Sequence, residues 1–188
     1  MVQQEPQDSS KRKIVKETFS SETISIIGDL LAGSLLSLLI LKFNSFVSLI
    51  LIIPALLSLR GNISGPFIAR TSRDFIIGEF NTRSWIENIL ATICLSLLTA
   101  LLIGLISIIL NFLLVQTILL TIGNFILIPI MTILFTLMVS IPCSTLLNYF
   151  AFKNGIDPNN LVNPIMTAID DFFTVISFYL TLIILGVP

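Results

Sequence analysis

The sequence predicts an all-α polytopic membrane protein with five membrane-spanning helices per chain. Three observations carry that prediction. The 188 residues are 55% hydrophobic and only 11% charged, where a soluble domain carries about 25% charge. No charged residue occurs from Asn88 to Phe152, a stretch with room for two or three spans at ~20 residues each. The apolar runs are continuous rather than alternating, which excludes a transmembrane barrel.

The elements follow in order. Residues 1–20 read as a disordered cytoplasmic tail, rich at first in Gln, Ser and acid and then in the bases Lys11, Arg12, Lys13 and Lys16. Residues 21–188 form a single five-helix domain. Span 1 is expected from Glu22 to Leu41. Its apolar run is too long for a signal peptide, contains Asp29 and lacks a convincing cleavage site, so it reads as a signal anchor. Span 2 starts near Asn44 and ends near Leu59. A polar, glycine-interrupted segment from Arg60 to Arg83 follows. Span 3 runs from Trp85 to Leu110, with Trp85 as an interface anchor. Span 4 covers Leu119 to Phe150 and carries Pro129 and Pro142, which kink or tilt it. A loop with Lys153 leads to span 5, Asn159 to Leu185.

Charge bias orients these spans. The bases fall in the tail, in the 60–83 connection (Arg60, Arg70, Arg73, Arg83) and at Lys153. Five spans with a cytoplasmic N-terminus put all of them inside. Splitting Asn88–Phe152 into three spans would move Lys153 outside, against that bias. The expected setting is a plasma membrane crossed several times, with lipid as the surrounding partner.

The remaining composition narrows function. A net charge of −1 leaves no large basic patch for nucleic acid, and histidine is absent. Cys94 and Cys143 lie in separate apolar runs and read as packed thiols rather than a disulfide or metal pair.

The most informative residues are Asp170 and Asp171, inside the last hydrophobic stretch. An acid at bilayer depth costs about 2.5–3.5 kcal/mol on insertion scales. No Lys or Arg follows them, which points to a visiting cation as the counter-charge. At about 100° per residue, Asn163, Thr167, Asp170, Asp171, Thr174 and Thr181 share one arc of span 5. Asn163, Thr167 and Asp171 form an i, i+4, i+8 ladder of amide, hydroxyl and carboxylate oxygens. All-oxygen ligands suit hard cations, and Mg²⁺, which keeps its waters and uses few carboxylates, suits a sparse site. Mn²⁺ and Co²⁺ remain alternatives. Asp170 either helps beside the stripe or faces cytoplasmic water.

Three other features are open to two readings. Asp157 is a natural N-cap before Pro158, or a carboxylate attracting cations to an inner mouth. Asp29, amid Ser25, Gly28, Ala32, Gly33 and Ser37, is a helix-packing group or a second acidic site. Gly61-Asn62 with Ser64-Gly65-Pro66 is a plain cytoplasmic loop, or irregular backbone beside a wet cavity. Five spans form a small unit for a permeation path, so a homodimer is expected, with the pore at its two-fold axis and span 5 of each chain meeting there.

Two stretches carry a family resemblance. PALLSLRGNISGPFIARTSRDFIIG and GIDPNNLVNPIMTAIDDF resemble segments of the integral-membrane domain of MgtE-type magnesium channels and their relatives in solute carrier family 41. The second keeps that family's spacing of Asp-Pro, Pro, Thr and Asp. The resemblance implies a homodimeric Mg²⁺-permeable pore lined by span 5, and no enzyme activity. It places the pore aspartate at Asp171, its neighbours at Thr167 and Asn163, and the Gly-Asn pair at Gly61 and Asn62. Ser64, Gly65 and Pro66 depart from the prokaryotic pattern, and Asp170 stands where Gly or Thr is common. With residues 1–20 alone before span 1, gating by a cytosolic Mg²⁺ sensor is not expected. Two competing functions are a non-transporting scaffold subunit and an intramembrane aspartyl protease using Asp29 and Asp171. The chain has only Gly28-Asp29 as a fragment of the protease signals.

Overall fold

The computed structural model describes residues 7–43, 45–116 and 120–187, and those residues form five long helices. They are α1 (Gln7–Ile40), α2 (Phe46–Ile77), α3 (Thr82–Leu110), α4 (Ile122–Lys153) and α5 (Pro158–Ile184). All five are long and apolar enough to cross a membrane. Each run is apolar with few helix breakers, and in lipid a helix satisfies its own backbone polar groups.

Two boundaries differ from expectation. Of the expected tail, residues 1–6 lie outside the described residues, but residues 7–20 are helical. The Lys, Arg, Glu and Gln here are good helix formers, and extending an existing helix avoids a new nucleation step. This extension docks on the start of α5: Ser21 Oγ donates to the Asn160 carbonyl (2.9 Å), and Asn160 Nδ2 donates to Glu17 (3.3 Å).

The second difference is larger. Most of the Arg60–Arg83 segment is helical: α2 continues through Gly61, Gly65 and Pro66 to Ile77, and only residues 78–81 connect it to α3. Pro54 and Pro66 each remove one helical donor, a loss that neighbouring helices make tolerable in a membrane bundle. The helix stops at Gly78, whose φ of 74° suits a residue without Cβ. Asn81 then caps α3 by accepting from Ser84 N (2.8 Å), and Ser84 Oγ donates to Asp74 (2.8 Å), tying the end of α2 to the start of α3. Arg70 and Arg73 are exposed on α2 itself.

α3 ends in one π-helical turn, Asn111–Val115, closed by Gln116 in the left-handed region. Ser48 of α2 donates to the buried Asn111 Oδ1 there (2.8 Å). Pro129 and Pro142 both lie inside α4. Both cysteines are free, and Cys94 is exposed on α3 rather than packed.

α5 packs against α1, α2 and α4. It runs parallel to α1, since Ser21 meets Asn160 while Ile40 packs in the cluster holding Phe178 and Leu182. The two helices approach closely at Gly28, where an added Cβ would collide with that of Ala168. Gly104 gives α3 the same closeness to α4, with Phe125 O only 2.7 Å from its would-be Cβ. Leu59 and Ile63 pack with Ala100 and Ile133 to tie α2, α3 and α4 together, and two further apolar clusters hold the bundle. One joins Leu49, Ile52 and Leu56 to Phe125, Ile128, Phe178 and Leu182. The other joins Ile68, Ala151, Val162 and Met166. Between them, along α2 and α5, packing opens.

Candidate metal site

The opening is a cavity of about 240 Å³ lined by Gly61, Ser64, Gly65 and Ile68 of α2 and by Asn163, Met166, Thr167 and Asp170 of α5. Its origin is in the sequence. Gly61, Ser64 and Gly65 are spaced so that they share one helix face; two lack a side chain and the third has a short one, so most of the gap to α5 stays unfilled. A Cβ added at Gly61 or Gly65 would meet nothing within 4 Å. At about 30 Å³ per water, the space admits several waters, enough for a partly hydrated ion.

The α5 wall has two ridges. Val162, Met166, Asp170 and Thr174 are buried and form the deep ridge. Asn163, Thr167 and Asp171 are half-buried and form the rim. Thr167 Oγ1 donates to the Asn163 carbonyl (3.0 Å), which leaves its lone pairs for a donor such as an ion's water. Asp170 is 1% exposed, and its Oδ2 accepts from Ser64 Oγ across the cavity (2.9 Å). Both aspartates fall at the midpoint of α5.

The candidate residues therefore divide. Asn163, Thr167 and Asp170 line one cavity. Asp171 is outside its lining but extends the rim one turn past Thr167. Asp170 does not face cytoplasmic water, because it is buried against α2. Asn62 is exposed beside Gly61 and is not part of the lining. Asp157 is exposed immediately before α5, where a capping residue belongs. Asp29 is half-buried on α1; Ser25 Oγ approaches its Oδ2 at 3.5 Å, and its Oδ1 is buried with no hydrogen-bond partner among the described residues. Among the described residues no three acidic or sulfur side chains converge as a ready-made metal cage. A site with one or two carboxylates plus hydroxyl and amide oxygens holds an ion through its waters, the habit of Mg²⁺.

Sequence reasoning missed Ser64 as the partner of Asp170. The signal was present: Gly61, Ser64 and Gly65 share a face once α2 is read as continuous.

A family model described as MgtE, divalent cation transporter, matches residues 53–181, more than half of the chain and inclusive of every cavity-lining residue. No curated protein and no solved structure matches the chain.

Proposed function

Because the chain belongs to the MgtE divalent cation transporter family, we propose that it carries Mg²⁺ across the plasma membrane as a homodimer, with its N-terminus in the cytoplasm. The observation that carries this reading is the polar cavity between α2 and α5 at the middle of a membrane-spanning helix. A partly hydrated ion sits against the α5 ladder. Asp170 is the deep carboxylate, Asp171 the rim carboxylate, and Asn163 and Thr167 hydrogen-bond the ion's waters.

The electrostatic logic is simple. An ionised carboxylate at this depth is costly, and a divalent cation passing over it offsets that cost while losing little hydration. Binding stays weak enough for release because most of the ion's shell remains water. Asp171 lies on the rim side of α5, where a second copy of the helix could present the same group across a two-fold axis. Asp157, before α5, adds negative charge at the inner mouth. Asp29 contributes a further acidic oxygen from α1, and Asn62 an exposed amide beside the cavity.

The test is cation flux through the purified chain in proteoliposomes. Mg²⁺ uptake is expected to exceed Mn²⁺ and Co²⁺ uptake under the same gradient. Lack of uptake for all three metals, with or without a sodium or proton gradient, would defeat the proposal.

A further inference from the structure

Where α2 packs on α4, one side-chain hydrogen bond joins the two helices beside buried hydroxyl groups. Asn148 of α4 donates through Nδ2 to the Ile68 carbonyl of α2 (3.3 Å). In an α-helix the carbonyl of residue i is flanked by the side chains of i+3 and i+4, here Thr71 and Ser72. All three side chains are 0–1% exposed. Asn148 Oδ1, Thr71 Oγ1 and Ser72 Oγ are all without a hydrogen-bond partner among the described residues.

These hydroxyls differ from several others buried in the bundle. Ser96, Thr136 and Thr181 each donate to the carbonyl one turn back (2.7, 2.9 and 2.8 Å). Thr71 and Ser72 do not, and Asn148 occupies the carbonyl that Ser72 would otherwise use. Buried polar atoms in native structures find partners, in protein or in water.

We propose that Thr71, Ser72 and Asn148 hold one internal water that fastens the C-terminal half of α2 to α4. The donor and acceptor count selects water. It accepts the two hydroxyl protons and donates to the Asn148 amide oxygen, satisfying three groups with one molecule. A bare cation would coordinate the oxygens but leave both hydroxyl protons without acceptors, and neutral ligands alone would have to offset its charge. Ile68, whose carbonyl anchors the site, also lines the cavity. The water thus holds the backbone of the cavity's α2 wall in place.

The test uses the full chain in lipid nanodiscs. A structure resolved finely enough to place water should show one peak within hydrogen-bonding distance of all three oxygens. Thr71→Val and Ser72→Ala should each expel it, so the double variant should lower the thermal midpoint no more than the worse single variant. Additive losses overturn the proposal. So does a structure in which both hydroxyls donate to the Phe67 and Ile68 carbonyls with nothing between the helices. A midpoint that rises saturably with Na⁺ against choline, and ceases to rise in Ser72→Ala, assigns the site to a monovalent cation and also overturns it.

Discussion

α4 and α5 both carry a long row of polar residues through the bundle, yet the two rows do different things. On α4, Thr132, Thr136, Ser140, Ser144 and Asn148 recur every four residues, and all are buried. Their hydroxyls turn inward: Thr136 bonds the Thr132 carbonyl (2.9 Å), Ser144 the Ile141 carbonyl (3.0 Å), and Thr132 meets Thr181 (3.4 Å). Small hydroxyl residues of this kind let membrane helices approach closely. On α5, Asn163, Thr167 and Asp170 face the glycines of α2 across open space, and Asp171 follows on the rim. Polarity inside a membrane helix is therefore not itself a sign of transport. In the proposed transport role, charge combined with unfilled volume is what separates α5 from α4.

Four substitutions break or sharpen that contrast. Gly28→Val attacks packing alone. Its side chain would strike Ala168, and overpacking costs about 1–3 kcal/mol. The thermal midpoint in detergent should fall, while flux per folded molecule stays near wild type. Gly65→Leu attacks volume alone. Its Cβ enters open space, so the midpoint should barely move while Mg²⁺ flux falls about tenfold, near 1.4 kcal/mol of barrier. Thr167→Val removes one hydroxyl from the rim; at about 1 kcal/mol per hydrogen bond, flux should fall about fivefold. Thr136→Val on α4 should change stability by about 0.5 kcal/mol or less, with flux unchanged. Its hydroxyl bonds a carbonyl of its own helix, so little is left unsatisfied. A flux loss there matching that of Thr167→Val would erase the distinction between the two rows.

Much of this was legible in the chain itself. Continuous apolar runs marked five spans, because helices in lipid need length and hydrophobicity more than particular neighbours. The α5 ladder was legible because helical periodicity places Asn163, Thr167 and Asp171 on one ridge. The course of α2 was not. Gly61, Gly65 and Pro66 are loop signals in water, yet α2 runs through them, anchored by the buried Ile63, Phe67 and Ile68. Misplacing that segment hid the Ser64–Asp170 contact (2.9 Å), since a cavity wall exists only once both of its helices are known. The depth of Asp170 was hidden for the same reason: its ridge is buried by α2 and α4, not by anything on α5.

Mg²⁺ uptake by proteoliposomes containing Asp170→Asn, Asp171→Asn and the double variant tests the central claim most directly. Asparagine keeps the shape and removes the charge, so assembly and thermal midpoint should persist. Each single variant is expected to lose about a hundredfold in uptake, close to 2.7 kcal/mol of barrier, and the double variant to fall to the level of empty vesicles. Wild-type uptake by the double variant would contradict the account, because the ion would then be crossing without the carboxylates of α5.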